Sequence, residues 1–119
     1  MRILIPVLML LVFVSPFAFA NPPVNVDVAT ATDGKIQVMV QHPVGNPNQH
    51  YIYKIVLYVK GEQFAERTYD RQVGNLQVES FKVPGLKIGD KIKATAYCNR
   101  YGDKTGEMAY DGIPPPISD

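Results

Sequence analysis

The sequence predicts an all-β protein, an immunoglobulin-like β-sandwich of about seven strands. Between Asn21 and Gly112, apolar and polar residues alternate in short runs with a period of two. Turn residues separate most of these runs, and Asp33-Gly34 is a strong hairpin signal. No stretch after residue 20 has a helical period. Short strands and turns in a chain of this length are typical of such a sandwich. Because the chain has no Trp and a single Cys, it is not an antibody-type domain.

Each predicted strand is one of these alternating runs. In chain order the runs are residues 24–30, 35–41, 50–60, 63–69, 76–83, 90–98 and 106–112. The second run places Ile36, Val38 and Val40 on one face. In the third, the same alternation places Tyr53 with the apolar residues of one face and Ile52 on the other.

The first twenty residues have the pattern of a secretory signal peptide. A single basic residue, Arg2, precedes an apolar run at 3–14, and a small-x-small pattern ends at Ala20. We therefore expect cleavage between Ala20 and Asn21, and a periplasmic or secreted protein. Because the apolar run is short for a bilayer span of roughly 20 residues, we expect no stable membrane span after cleavage.

The rest of the chain is the size of one small domain. We assign residues 21–112 to the sandwich and residues 113–119 to a proline-rich tail. Without Arg2, basic and acidic residues are equal in number, so residues 21–119 together have no net charge, and no basic face is evident. A nucleic-acid partner is therefore not expected.

A possible metal site comes from the three residues His42, His50 and Cys98. The two histidines, the only ones in the sequence, flank an irregular loop rich in Pro and Gly, and Cys98 closes the sixth strand beside a turn. A short loop brings its two ends close together. Imidazole and thiolate both offer a lone pair to a transition metal.

The same residues also have a structural interpretation. Cys98 shares a strand face with Ile92, Ala94 and Ala96, and free cysteine is among the most buried residue types. Histidines in a polar loop are usually solvated, and the chain has no dense ligand motif of the zinc-finger kind. The residue pattern leaves both interpretations open.

Three short motifs resemble the superoxide reductase family, the iron domain of desulfoferrodoxin and neelaredoxin. They are His42-Pro43, then His50-Tyr51-Ile52, then Ala96-Tyr97-Cys98-Asn99-x-Tyr101-Gly102. The resemblance covers about residues 41–102. It implies an immunoglobulin-like sandwich whose ferrous ion is held by four equatorial histidines and an axial cysteine. Superoxide binds at the open sixth position and leaves as hydrogen peroxide.

By position, the resemblance makes His42 and His50 equatorial ligands and Cys98 the axial thiolate. The chain departs from the family at Tyr101, where the family has histidine, and it has no histidine between residues 21 and 41. Tyr101 is then a candidate phenolate ligand for ferric iron, or a turn tyrosine that packs over the end of the sandwich. Together with the signal peptide, the resemblance predicts an exported iron-binding redox protein with an incomplete ligand set, acting on superoxide or with a redox partner protein.

Two other functions fit the same residues. Two imidazoles and a thiolate suit a trigonal copper site for electron transfer, with Met108 or Tyr101 as a weak axial donor, although Met39 and Met108 are more typical of core residues. The stretch from His42 to Tyr97 also resembles the immunoglobulin-like subunit of the periplasmic sulfur-oxidation carrier complex. That resemblance implies a non-catalytic module that binds a partner chain and carries no metal.

Overall fold

The computed structural model of the protein describes residues 22–114. The predicted signal peptide lies outside these residues, as does the predicted tail from residue 115 onward. In the described part of the chain, no helix is long and apolar enough to cross a membrane.

Seven antiparallel strands form the domain, as the alternating pattern predicts. They are β1 (Asn25–Thr30), β2 (Ile36–Gln41), β3 (Ile52–Val59), β4 (Glu62–Thr68), β5 (Leu76–Phe81), β6 (Lys91–Cys98) and β7 (Asp103–Ala109). The last strand begins three residues earlier than the sequence predicts, because a tight turn after β6 brings Asp103 directly opposite Tyr97.

The strands form two sheets. Sheet A has the order β1-β2-β5, and sheet B has the order β4-β3-β6-β7. The chain crosses between the sheets after β2, after β4 and after β5. Two antiparallel sheets are consistent with the predicted sandwich, whereas its immunoglobulin-like character stays a prediction.

The core lies between the two sheets and is built from alternate residues of the central strands. In sheet A, Ile36, Val38 and Val40 are fully buried, as predicted from the alternation. In sheet B the core face of β6 is also the predicted one, and Cys98 is part of the core. Met39 points the other way from its two valine neighbours and lies outside this core, so the prediction that it is a core residue is wrong.

A β-bulge in β3 overturns the predicted faces of that strand. The register against β6 shifts between Ile52 and Lys54, which leaves Tyr53 as the extra residue. Ile52 is therefore fully buried, whereas Tyr53 is 37% exposed and its ring lies beside that of Tyr97 on the outer face of sheet B. Strict alternation predicts the reverse, because it has no means of placing a bulge.

At one edge of the sandwich, β1 of sheet A packs directly against β7 of sheet B. A methyl group at Gly106 would lie 1.9 Å from the backbone oxygen of Val26. Only a residue without a side chain allows this contact, so Gly106 sets how β1 lies across the edge of sheet B.

We expect Gly106→Ala to lower the free energy of unfolding by about 1–3 kcal/mol, the range for overpacked positions, because the obstructing atom is backbone and does not swing away. Urea unfolding monitored by circular dichroism measures the change. Gly45→Ala is the matched control, since a methyl group there meets no atom within 4 Å. Equal stability of the two variants would contradict this account of Gly106.

Candidate metal centre

His42, His50 and Cys98 come from the ends of three strands and meet at one end of the sandwich. His42 directly follows β2 of sheet A, His50 precedes β3 of sheet B, and Cys98 is the last residue of β6. The loop between the two histidines crosses from one sheet to the other, so it carries both rings to the same edge of the core.

The three side chains are close enough to hold one metal ion. Their donor atoms lie within 4.8 Å of one another, and His50 Nε2 is 3.0 Å from Cys98 Sγ. The two imidazole rings pack edge to face, with centroids 4.8 Å apart. Since a metal lies about 2.0 Å from imidazole nitrogen and 2.3 Å from sulfur, donors at these separations surround a point that an ion would occupy.

The centre is largely shielded from water. His42 is fully buried and Cys98 is 6% exposed, whereas His50 is partly buried. Cys98 therefore fits both of its predicted interpretations, since its sulfur belongs to the core and also contacts an imidazole.

The turn after β6 directs backbone donors at the sulfur. The amides of Arg100 and Tyr101 each lie 3.5 Å from Cys98 Sγ. A hydrogen bond from Cys98 N to the carbonyl of Gly102 closes the turn. The turn therefore places two hydrogen-bond donors against the sulfur that would bind a metal.

Asn99 fixes the segment that carries His50. Its side-chain oxygen accepts a hydrogen bond from the amide of Tyr51 at 2.9 Å, and its amide nitrogen donates to the carbonyl of Gln49 at 2.9 Å. On the other side, the carbonyl of Asn46 accepts the amide of His50 at 2.9 Å. The backbone of His50 is thus held from both directions.

Gln72 is the site residue that sequence reasoning missed. It lies in the connection between β4 and β5, is 2% exposed, and its side-chain oxygen is 2.8 Å from His42 Nδ1. Nothing in residues 70–75 distinguishes this glutamine from a solvated one, because the partners of its side-chain oxygen are 20 and 30 residues away in the chain.

The fourth predicted ligand, Tyr101, lies beside the cluster. Its ring stands edge-on to His50, with centroids 6.4 Å apart, and the residue is 44% exposed. The prediction that it packs at the end of the sandwich agrees with this contact, and ligation through its hydroxyl group stays a prediction.

Met108 is too far away to be an axial donor. It lies opposite Ile92, near the start of β6, whereas Cys98 ends that strand. Six residues of strand at about 3.3 Å each separate the two ends by roughly 20 Å. Met108 packs against the core instead, which corrects its assignment as a copper ligand and agrees with its interpretation as a core residue.

Two partly buried tyrosines have raised pKa values. Burial, followed by the neighbouring Tyr58 phenol, raises the pKa of Tyr97. Burial raises the pKa of Tyr69 as well, and the hydrogen bond to the Glu79 carboxylate adds to the effect. Both residues are therefore neutral phenols at physiological pH and contribute no negative charge to the site.

In comparisons with known proteins, no family model, curated protein or solved structure matches this chain.

We expect Asn99→Ala to lower the free energy of unfolding by about 1–2 kcal/mol, because it removes both side-chain hydrogen bonds that hold the segment before β3. Urea unfolding measures the loss, and amide hydrogen exchange at Tyr51 locates it. Asn48→Ala is the control, since Asn48 is an exposed asparagine of the same loop that is hydrogen-bonded through its backbone amide. If the amide of Tyr51 exchanged equally slowly in both variants, Asn99 would not be holding this segment.

Proposed function

We propose that this chain is an exported redox protein that binds one transition-metal ion through His42, His50 and Cys98, and that the ion is copper. The observation that carries the proposal is the closeness of two imidazoles and one thiol, all within 4.8 Å, at the end of a packed core. Export rests on the signal-peptide pattern of residues 1–20.

The donor set favours copper among the common metals. Two imidazole nitrogens and one thiolate in a trigonal arrangement are typical of copper centres that transfer electrons, and such centres need only a weak additional donor. A structural zinc site usually takes four protein donors, and among the described residues only three side chains of the usual ligand types form a cluster.

Each residue of the centre has a distinct role in this proposal. Cys98 supplies the anionic donor, and the amides of Arg100 and Tyr101 stabilise its charge. The buried His42 fixes the position of the site within the core, and the partly buried His50 is the ligand nearest to solvent. Bound copper would supply one-electron chemistry by changing between its cuprous and cupric states.

The second candidate is a superoxide reductase-like iron protein. It is favoured because His42, His50 and Cys98, the residues that the resemblance assigns as ligands, converge at one place. The chain has only two histidines, so it lacks the four equatorial histidines of that family. An iron centre would need other donors, and Tyr101 is the nearest candidate by its contact with His50.

The mature protein, residues 21–119, tests the copper proposal. We expect it to bind one copper ion per chain after anaerobic addition of cupric salt, with an intense visible absorption band from thiolate-to-copper charge transfer. Metal analysis after gel filtration gives the stoichiometry. Cys98→Ser should abolish the band, because a serine hydroxyl is a poor copper ligand, and should weaken copper binding at least about 10-fold.

Lys104→Ser is a matched control, because Lys104 is exposed and lies on the neighbouring strand β7. It should leave the band unchanged. Absence of stoichiometric copper and iron from the wild-type protein would overturn both metal proposals and favour the non-catalytic binding module.

The iron candidate has a separate test in Tyr101→Phe. If the centre holds iron through the Tyr101 phenolate, ferric protein should have a visible phenolate charge-transfer band that the variant lacks, while copper loading stays unchanged. Pulse radiolysis of the ferrous protein then measures superoxide decay. A ferric spectrum that is identical in the two proteins would exclude Tyr101 as a ligand, and superoxide decay at the rate of buffer would exclude reductase activity.

A further inference from the structure

The side-chain amide of Gln72 has only one orientation that satisfies its surroundings. One end faces the carbonyl oxygens of His42 and Gly74, at 2.6 and 2.8 Å. The other end faces the backbone amide of Ile52, at 3.2 Å, and the Nδ1 atom of His42. A flipped amide would set oxygen against two carbonyl oxygens and NH₂ against an N–H group. The side-chain nitrogen therefore faces the carbonyls, and the oxygen is an acceptor.

This orientation determines where His42 carries its proton. The Gln72 oxygen only accepts hydrogen bonds, so the contact of 2.8 Å with His42 Nδ1 requires a proton on Nδ1. In the neutral imidazole the lone pair is then on Nε2. The hydrogen bond that one ring nitrogen makes thus decides which nitrogen is available to a metal.

Gln72 also connects the parts of the chain that form the centre. His42 follows β2 of sheet A, and Ile52 begins β3 of sheet B. The backbone amide of Gln72 donates a further hydrogen bond to the carbonyl of Pro47, inside the loop between the two histidines. One buried residue therefore contacts both sheets and the loop that bridges them.

We propose that Gln72 is a positioning residue for the metal centre, which sets the Nδ1–H tautomer of His42 and so presents Nε2 to the metal. The metal part of this inference rests on the proposed function, whereas the tautomer part holds with or without a metal. Partners of this kind hold a ligand's ring orientation, and their loss typically weakens metal binding by about 10- to 100-fold.

The metal-free wild-type protein gives the first test. Long-range ¹H–¹⁵N correlation spectra assign the protonated nitrogen of each histidine ring and distinguish a neutral ring from a charged one. We expect His42 to be protonated on Nδ1. A His42 ring protonated on Nε2 would overturn the proposal without any variant being made.

Two variants of nearly equal size then separate positioning from stability. Gln72→Met removes the acceptor, so we expect loss of the fixed Nδ1–H tautomer and copper binding about 10- to 100-fold weaker, measured by competition with a chelator. Gln72→Glu keeps an acceptor for Nδ1 but places a second oxygen against two carbonyls. We expect it to keep the tautomer and wild-type copper affinity within about threefold, although it unfolds at a lower temperature.

A purely structural role predicts a different result, in which both variants lose copper affinity in proportion to their loss of stability. That pattern would overturn the proposal. Gln63→Met is the control for the substitution itself, because Gln63 is exposed on β4 and bonds to Glu66. If the wild-type protein binds no metal, the metal proposal fails, and the tautomer of His42 still tests the role of Gln72. If metal binds equally well to wild-type protein and to Gln72→Met, the positioning role fails while the metal centre stands.

Discussion

The buried imidazole of His42 constrains this whole end of the sandwich. A polar ring that is fully removed from water destabilises the fold unless its hydrogen-bonding groups are satisfied. Gln72 satisfies the ring at Nδ1 and the backbone at the carbonyl, while the carbonyl of Asn75 accepts the amide of His42. These hydrogen bonds place the connection between β4 and β5 over the edge of the core. The irregular loop after β2 is also fixed to this connection, because the carbonyl of Pro47 accepts a hydrogen bond from the backbone amide of Gln72.

The bulge in β3 is the second constraint. It allows a strand that follows a polar loop to begin with a buried residue. At the end of β3 near the centre, Ile52 must face the core beside Cys98, while His50 reaches the sulfur from two residues earlier. The extra residue at Tyr53 lets Ile52 face inward together with Ile55. Tyr53 is displaced to the outer face, where Lys54 lies over the rings of both Tyr53 and Tyr97. The aromatic outer surface of sheet B thus follows from the way the centre is built.

Alternation alone predicts the core faces of β2 and β6, because a regular strand places every second side chain on one side. The expectation that strand ends bring His42, His50 and Cys98 together follows from the same strand assignments and a short loop. The remaining features depend on contacts that are distant in sequence. Gln72 forms hydrogen bonds with residues 20 and 30 positions away. The position of Met108 opposite Ile92 depends on the register between β6 and β7. Neither leaves a local pattern in the residues, and the bulge at Tyr53 likewise has no glycine to mark it.

The surroundings of Cys98 differ from those of a cysteine that only fills space. A buried neutral thiol is a small apolar group that needs no polar partners. Cys98 has the ring nitrogen of His50 at 3.0 Å and two backbone amides at 3.5 Å, all directed at its sulfur. These groups come from the His50 segment and from the turn after β6, and Asn99 holds those two parts together. Bringing several polar groups to one sulfur at the rim of an apolar core stabilises a charged sulfur far more than a neutral one. Packing alone therefore does not explain why these polar groups converge on the sulfur, whereas the metal site that we propose does.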